Sequence, residues 1–118
     1  MKNSEWNGVA MSCTKRNSMK NCNVSHSKCN GLLVQDGGLM TIDGNGTTIH
    51  HNCTDGDSGH YGLDTSMVFH GSFHLASPLT IETISKNNGG GGNHGGKGTI
   101  AIVDNEGTII ETIQEATP

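Results

Sequence analysis

Six polar residues in two glycine-rich stretches carry side chains that could bind or transform a ligand. The first stretch, TDGDSGHY, spans residues 54–61, and the second, NNGGGGNHGGKGT, spans residues 87–99. Their carboxylate, imidazole, amide and ammonium groups can hold a polar ligand or a cation. Loops on a rigid scaffold commonly carry such binding groups, because they stay accessible to solvent. The sequence therefore predicts a binding face formed by Asp55, Asp57, His60, Asn93, His94 and Lys97.

The second stretch resembles a nucleotide-binding phosphate loop but lacks two of its features. The pattern G-x-x-x-x-G-K-[S/T] fits from Gly91 to Lys97, but Gly98 occupies the position of the hydroxyl that binds magnesium. A helix must follow such a loop, because the helix N-terminus holds the phosphate. The residues after Thr99, IAIVDNEG, are instead typical of a strand and a turn. The sequence therefore favours a long glycine-rich excursion over a nucleotide site.

Metal-binding and catalytic patterns are incomplete. Asp55 and Asp57 alternate as in a calcium loop, but Gly59 and Ser66 stand where that loop needs further ligands. Cysteine and histidine occur together as C-x3-H-x2-C from Cys22 and as H-H-x-C from His50 to Cys53, just before the first stretch, and neither is a standard zinc spacing. We therefore predict no metal site, no cofactor and no catalytic residue. Enzymatic activity stays open, and a non-catalytic role is favoured.

Length, charge and composition exclude several classes of protein. The chain has 118 residues, which is enough for one domain. Its net charge of −4 provides no basic surplus for duplex nucleic acid, and no apolar run is long enough to span a membrane. One tryptophan, one tyrosine and two phenylalanines would make a thin compact core. A stack of repeated layers, each burying a few aliphatic side chains against the next, suits this composition better.

The cysteines and the N-terminal sequence give limited information on the cellular location of the protein. An even number of cysteines permits disulfides in a secreted protein, whereas buried free thiols act as small apolar groups, and we favour free thiols. No signal peptide is visible, so the localisation is unassigned. A secreted or cell-surface location is expected if the chain is a piece of a longer repeat protein, as we predict. The four cysteines are Cys13, Cys22, Cys29 and Cys53.

Positioning the six candidate residues requires strands, because no window of the chain carries a helical apolar stripe. Short runs of β-branched and aliphatic residues, bounded by glycine and asparagine, predict strands instead. The predicted strands are Gly31–Gln35, Leu39–Ile42, Thr47–His51, Phe73–Ala76, Thr80–Ser85, Thr99–Val103 and Thr108–Ile113.

Three of these regions share one pattern of polar, aliphatic and basic residues. They are NVSHS at 23–27, TIHHN at 48–52 and TISKN at 83–87, and a glycine-bearing loop follows each. A repeat of short strands and Gly/Asn turns is typical of a parallel β-solenoid, in which equivalent residues stack. The pattern predicts an inward column of Val24, Ile49 and Ile84, a second column of His26, His51 and Lys86, and an amide ladder that includes Asn52 and Asn87.

A second anchor supports the same repeat. NGV at 7–9, NGL at 30–32 and YGL at 61–63 begin the next strand in successive copies. The loops before and after these anchors should therefore leave one corner of the stack and bring the six candidate residues to one side. An antiparallel alternative remains, because IAIVDNEGTIIETI at 100–113 contains a hairpin-like Asn-Glu-Gly turn.

The stretch CNVSHSKCNGLLVQDGGLMTIDGNGTTIHHNC at 22–53 resembles the repeats of right-handed parallel β-helix proteins of the pectate-lyase-like superfamily. The resemblance implies an all-β, right-handed parallel β-helix of about three to four coils. It divides the chain into an N-terminal coil or cap at 1–20, β-helix repeats at 21–103, and a C-terminal strand or cap with a tail at 104–118.

What the resemblance implies about activity is limited. Pectate lyases pair calcium-binding acids with an arginine base, but here the one arginine is Arg16, without an acidic cluster beside it in sequence. The polygalacturonase motifs are absent, except that Gly59–Gly62 weakly resembles their G-H-G motif. We therefore predict a non-catalytic β-helix module that acts as a scaffold or binding surface for polysaccharide or another glycan. The alternative is a fragment of a carbohydrate-active lyase or hydrolase, and the open solenoid ends predict self-association.

Overall fold

Short strands dominate the part of the chain that the structure describes. The structure is a computed structural model that describes residues 6–11, 16–66 and 68–116. Cys13, part of the predicted segment 1–20 and the last two residues of the segment 104–118 lie outside the described residues. The elements are β1 (Val9–Met11), β2 (Arg16–Lys20), β3 (Asn23–Ser25), β4 (Leu32–Val34), β5 (Leu39–Asp43), β6 (Thr48–His50), β7 (Leu63–Asp64), β8 (Ser72–Ala76), α1 (Ile81–Ile84), β9 (Ser85–Lys86), β10 (His94–Gly95), β11 (Thr99–Val103) and β12 (Ile109–Gln114).

The strands wind into a parallel β-solenoid of about three turns, called coils below. Sheet 1 has the order β1-β4-β7-β10, sheet 2 the order β2-β5-β8-β11-β12, and sheet 3 the order β3-β6-β9. Each complete coil gives one strand to each sheet, and neighbouring coils pair in parallel. The predicted all-β parallel helix is therefore confirmed. No helix in the described ranges is long and apolar enough to cross a membrane.

Aliphatic columns inside the coils form the core. Met40, Phe73 and Ile100 lie side by side on β5, β8 and β11, and all three are buried. Successive residues of a strand point to opposite faces, so the residues two positions along form a second inward column. Each buried side chain of this size stabilises the fold by about 1.5–3 kcal/mol. The second column contains Ile42, Leu75 and Ile102.

The predicted strand at Thr80–Ser85 is wrong over most of its length, because residues 81–84 form one helical turn. Ile81 and Ile84 are both buried. A helical turn places residues three apart on the same face, whereas a strand would place them on opposite faces. The backbone N–H of Thr80 donates to Thr83 Oγ1 over 3.0 Å at the start of the turn.

This helical turn shifts the third repeat by one residue. Val24 pairs with Ile49 as predicted, but the next residue in that column is Ser85 and not Ile84. Lys86 pairs with His50, so it does not follow His51 as the repeat predicted. The left-handed position that begins each turn belongs instead to His26, His51 and Asn87, with φ of 58°, 54° and 55°.

The second anchor is confirmed, and its glycines are required by close packing. Leu32 pairs with Val9 on one side and with Leu63 on the other. A Cβ on Gly31 would lie 2.6 Å from the carbonyl oxygen of Gly62, which belongs to the backbone of the next coil. Only glycine allows neighbouring coils to approach this closely at the start of sheet 1.

The C-terminal segment turns back on the solenoid. After β11 the chain reverses, and β12 pairs with β11 in the antiparallel direction, so the hairpin alternative is right for this segment. Ile113 packs against the core, whereas Ile109 and Ile110 are exposed. Gln114 Nε2 donates to the carbonyl of Gly98 over 3.0 Å, which ties β12 to the segment before β11.

Candidate functional site

Buried amide and hydroxyl side chains hold the turns that lead from sheet 3 to sheet 1. Ser27 donates its backbone N–H to Asn52 Oδ1, and Asn52 donates its own N–H to Asn88 Oδ1, both over 3.0 Å. The ladder residue of the third coil is therefore Asn88 and not the predicted Asn87. Because side chains satisfy these backbone groups, turns of unequal length can leave the same corner. The turns comprise residues 26–31, 51–62 and 87–93 and are called the loop corner below.

Three of the six predicted binding residues lie in the second turn of the loop corner. Asp55 Oδ2 lies 3.0 Å from His60 Nδ1. Asp55 Oδ1 accepts the N–H of Asp57, and Asp57 Oδ1 accepts the N–H of Gly59, so one oxygen of each carboxylate stabilises the turn. The hydrogen bond from Asp57 is the main cause that lowers the pKa of Asp55, and the charge of His60 also lowers it. The third turn contacts the second, since Gly91 donates its N–H to the carbonyl of His60.

The other three predicted residues lie on the next coil. Asn93 Oδ1 accepts hydrogen bonds from the backbone N–H and the Nδ2 of Asn88, so this amide stabilises the third turn. His94 Nδ1 lies 3.0 Å from Gln114 Oε1, beside the C-terminal strand. Lys97 is half-buried in the segment between β10 and β11. The six residues therefore fall into two groups, and their joint role in binding stays a prediction.

Cys29, which the sequence did not select, adds a thiol to the Asp55 and His60 pair. Its Sγ lies 3.7 Å from Asp55 Oδ2, and the ligand atoms of these three residues lie within 4.8 Å of one another. Burial raises the pKa of the Cys29 thiol, and the charge of Asp55 raises it further. A nucleophilic cysteine needs a lowered pKa, so the raised pKa of Cys29 does not favour a catalytic thiol, although His60 lies nearby.

Backbone hydrogen bonds between two coils bring Asp55 and His60 close to Cys29. Cys53 donates its N–H to the carbonyl of Cys29 over 2.8 Å, and Asp55 donates its N–H to the carbonyl of Lys28 over 3.0 Å. The turn that follows Cys53 therefore runs beside the preceding coil. The repeat pattern did not reveal this cluster, because the repeat matches Cys53 with Lys28 and not with Cys29. Cys22, Cys29 and Cys53 are free thiols.

Three histidines form a second cluster where the first two turns of the loop corner begin. The rings of His26 and His51 stack with their centroids 5.4 Å apart and an angle of 7° between their planes. His50 Nδ1 lies 2.7 Å from His51 Nδ1, so one ring must donate to the other. Burial lowers the pKa of His50, and the charges of His51, His26 and Lys86 lower it further. His26 and His51 also border a shallow concavity of about 430 Å³.

A groove lies on the outer face of sheet 2, at the carboxyl ends of β5, β8 and β11. Its volume is about 310 Å³, and none of the six predicted binding residues lines it. That volume is at the lower end of the range of small-molecule sites, about 300–1,000 Å³. The outward residues Thr41 and His74 are direct neighbours on adjacent strands. The groove is lined by Thr41, Asp43, His74, Ala76, Ser77, Val103, Asp104, Asn105 and Gly107.

The polar groups of the groove differ in their charge and in whether they already accept hydrogen bonds from the protein. Burial lowers the pKa of His74, and the charge of Arg16 lowers it further, so the imidazole is neutral at pH 7 and can accept a hydrogen bond. Asp104 Oδ1 accepts the N–H groups of Glu106 and Thr108, both over 2.9 Å, and so stabilises the turn before β12. The groove therefore presents hydrogen-bond donors and acceptors on short side chains, and small side chains line its base.

Comparisons with known proteins identify no relative. No protein-family model matches the chain, and no curated protein or solved structure is significantly similar to it.

Proposed function

We propose that this chain is a non-catalytic β-solenoid module that binds a neutral glycan in the groove of sheet 2. The observation that carries the proposal is the groove itself, where polar side chains from three neighbouring coils line one concave surface. Parallel strands are spaced about 4.8 Å apart, so these groups are presented at regular intervals along the stack. An extended chain of sugar rings, with hydroxyl groups along its length, is a suitable ligand for such an array.

The charge of the groove favours a neutral glycan over an acidic one. Asp43 and Asp104 line it, and the described lining residues include no lysine or arginine. Carboxylates repel uronic acids, whereas they accept hydrogen bonds from neutral hydroxyl groups. Ala76 and Val103 provide an apolar floor against which the C–H face of a sugar ring can pack.

A relation to the pectate-lyase-like superfamily is part of this proposal. The parallel three-sheet coil and the amide ladder of Asn52 and Asn88 support it, together with the glycine anchors at Gly31 and Gly62. The relation is consistent with glycan binding, but it does not by itself identify a ligand.

A carbohydrate-active hydrolase is the second candidate function, because Asp43 and Asp104 both line the groove. Asp43 ends β5 and Asp104 follows β11, and these two strands are two steps apart in sheet 2, or about 9.6 Å. Inverting glycosidases separate their carboxyl groups by about 6.5–9.5 Å. The hydrogen bonds that Asp104 accepts from its own turn favour a structural role for this carboxylate, so binding without hydrolysis is the better proposal.

Binding can be tested with a panel of neutral and acidic polysaccharides, followed by calorimetry on the best ligand. Removing one hydrogen-bonding side chain should cost about 0.5–1.5 kcal/mol, so His74→Ala and Asp43→Asn should each weaken binding roughly two- to twelvefold. Ser72→Ala is the matched control, because Ser72 lies on the same strand and face as His74 but outside the groove.

Three outcomes would overturn the proposal. These are an absence of neutral-glycan binding, tighter binding of acidic polysaccharides, and equal losses in His74→Ala and Ser72→Ala. An assay for new reducing ends of the polysaccharide distinguishes hydrolysis from binding alone. Products that form with the unsubstituted chain and disappear in Asp43→Asn, while binding persists, would establish hydrolysis.

A further inference from the structure

We propose that Cys29, Asp55 and His60 form a zinc site at the loop corner, with the fourth coordination position open to water. The site is independent of the groove on sheet 2. The sequence predicted no metal site, because the three ligands come from two coils and follow no standard zinc spacing.

The distances between the ligand atoms are close to those of a tetrahedral zinc site. Zinc bonds of about 2.0 Å to nitrogen and oxygen and about 2.3 Å to sulfur give ligand-to-ligand distances of about 3.3–3.5 Å. The observed distances are 3.0 Å from Asp55 Oδ2 to His60 Nδ1 and 3.7 Å from Asp55 Oδ2 to Cys29 Sγ. Shifts of a few tenths of an ångström would therefore admit the ion on these edges, and the third edge is within 4.8 Å.

Backbone hydrogen bonds hold the three ligands before any ion binds. The carbonyl of Cys29 accepts the N–H of Cys53, and Asp55 donates its N–H to the preceding coil. Asp55 Oδ1 accepts the N–H of Asp57, which orients Oδ2 towards Cys29 and His60. Such supporting contacts orient metal ligands and increase affinity, because less freedom is lost on binding.

The ligand types select zinc over the common hard cations. Calcium and magnesium prefer oxygen ligands, whereas a thiolate, an imidazole and a carboxylate together suit zinc. Binding would form bonds to Cys29 Sγ, Asp55 Oδ2 and His60 Nδ1 and would release the thiol proton to solvent. The thiolate and the carboxylate then neutralise the two positive charges of the ion.

Solvent reaches the cluster, which allows an ion to enter and leaves the fourth position open. The side chains of His60 and Asp55 are 27% and 21% exposed. Three protein ligands with a water molecule are typical of zinc sites that take an external ligand, whereas structural sites use four protein ligands. The site would therefore take an anionic or nitrogen donor as its fourth ligand.

Zinc titration of the full chain under reducing conditions tests the proposal. Calorimetry should show one zinc ion per chain, and Cys29→Ser and His60→Gln should each lower the affinity at least about tenfold. Cobalt substitution should produce a thiolate-to-cobalt charge-transfer band that is lost in Cys29→Ser. Matched controls are Cys22→Ser, at an exposed thiol outside the cluster, and His94→Gln, which should leave the affinity unchanged.

Alkylation of the unsubstituted chain provides a readout that does not depend on any variant folding. Saturating zinc should slow the alkylation of Cys29 at least about tenfold, while exposed Cys22 reacts at its original rate. Equal zinc affinity in Cys29→Ser and the unsubstituted chain would overturn the proposal. So would unprotected Cys29 at saturating zinc, or a loss of binding in His51→Gln that Cys29→Ser does not share, since that would assign the ion to the three-histidine cluster.

Discussion

Sheet 2 and the loop corner both stack successive coils, but sheet 2 does so with buried aliphatic side chains and the loop corner with buried amides and hydroxyls. Phe73 in sheet 2 has apolar neighbours in the coils on both sides. Asn52 in the loop corner has defined hydrogen-bond partners in the coils on both sides, through Ser27 and Asn88. Apolar contacts are not directional, whereas each amide fits only its own donors and acceptors.

This difference separates two ways of presenting polar groups to a ligand. The groove of sheet 2 is positioned by strands of five residues in continuous register, so its side chains have fixed spacing. The Cys29, Asp55 and His60 cluster is positioned by a turn, and that turn depends on the amide ladder beneath it. A substitution that breaks the amide ladder should therefore lower the proposed zinc affinity more than the proposed glycan affinity.

The largest expected effect comes from breaking an apolar column. Phe73 is fully buried between Met40 and Ile100, so Phe73→Ala should lower the free energy of unfolding by about 3–5 kcal/mol, measured by urea denaturation. Phe69→Ala is the control, because Phe69 is 62% exposed and its removal should change stability by less than about 0.5 kcal/mol. Equal losses in the two variants would contradict the assignment of Phe73 to the core.

A smaller loss is expected from breaking the amide ladder. Asn52 is 1% exposed, and its Oδ1 accepts from Ser27 while its Nδ2 donates to the carbonyl of Val24. Asn52→Ala leaves these buried groups without partners, which should lower the free energy of unfolding by about 2 kcal/mol in the same assay. Asn45→Ala, at an exposed turn residue, should cost less than about 0.5 kcal/mol. A loss in Asn52→Ala no larger than in Asn45→Ala would show that the ladder does not hold the corner.

Three strands of sheet 2 could be predicted from the sequence because their signal is local, although the columns that they form were not predicted. Short apolar runs from Leu39 to Ile42, and again from Phe73 to Ala76, are enough to predict strands there. The glycine anchor at Gly31 was equally visible, because close packing of neighbouring coils requires that residue type. These predictions needed no knowledge of how distant coils meet.

The loop corner could be predicted only in part, because its contacts depend on register between coils. A helical turn follows Thr80 in the third coil, and the next partners are shifted by one position, so Ser85 pairs with Ile49 and Asn88 takes the ladder position predicted for Asn87. The spacing of Ile81 and Ile84, three residues apart, was a helical signal that the strand prediction overlooked, and both side chains are buried. The contact of Cys29 with Asp55 is set by the path of a turn, which the sequence pattern does not define.

Asp64, at the end of β7, tests whether the solenoid buries a charge as readily as an amide. Its side chain is buried at the end of β7, and Oδ1 accepts the N–H of Ser66 over 2.8 Å. Burial raises the pKa of Asp64 above its ordinary value of 3.8, although the hydrogen bond from Ser66 opposes the shift. The neutral form is therefore the one that the folded state favours.

The sign of the pH dependence follows from this raised pKa. Between pH 3.8 and the folded pKa, the folded state holds more protons than the unfolded state, so the contribution of Asp64 to stability falls as pH rises through that window. Asp64→Asn keeps the acceptor for Ser66 but removes the charge, so its stability relative to the unsubstituted chain should rise from about pH 4 and then level off. Urea denaturation across this range measures the difference, in which other titrating groups cancel. A flat difference for Asp64→Asn would mean that the solenoid buries this carboxylate as easily as it buries the amide of Asn52.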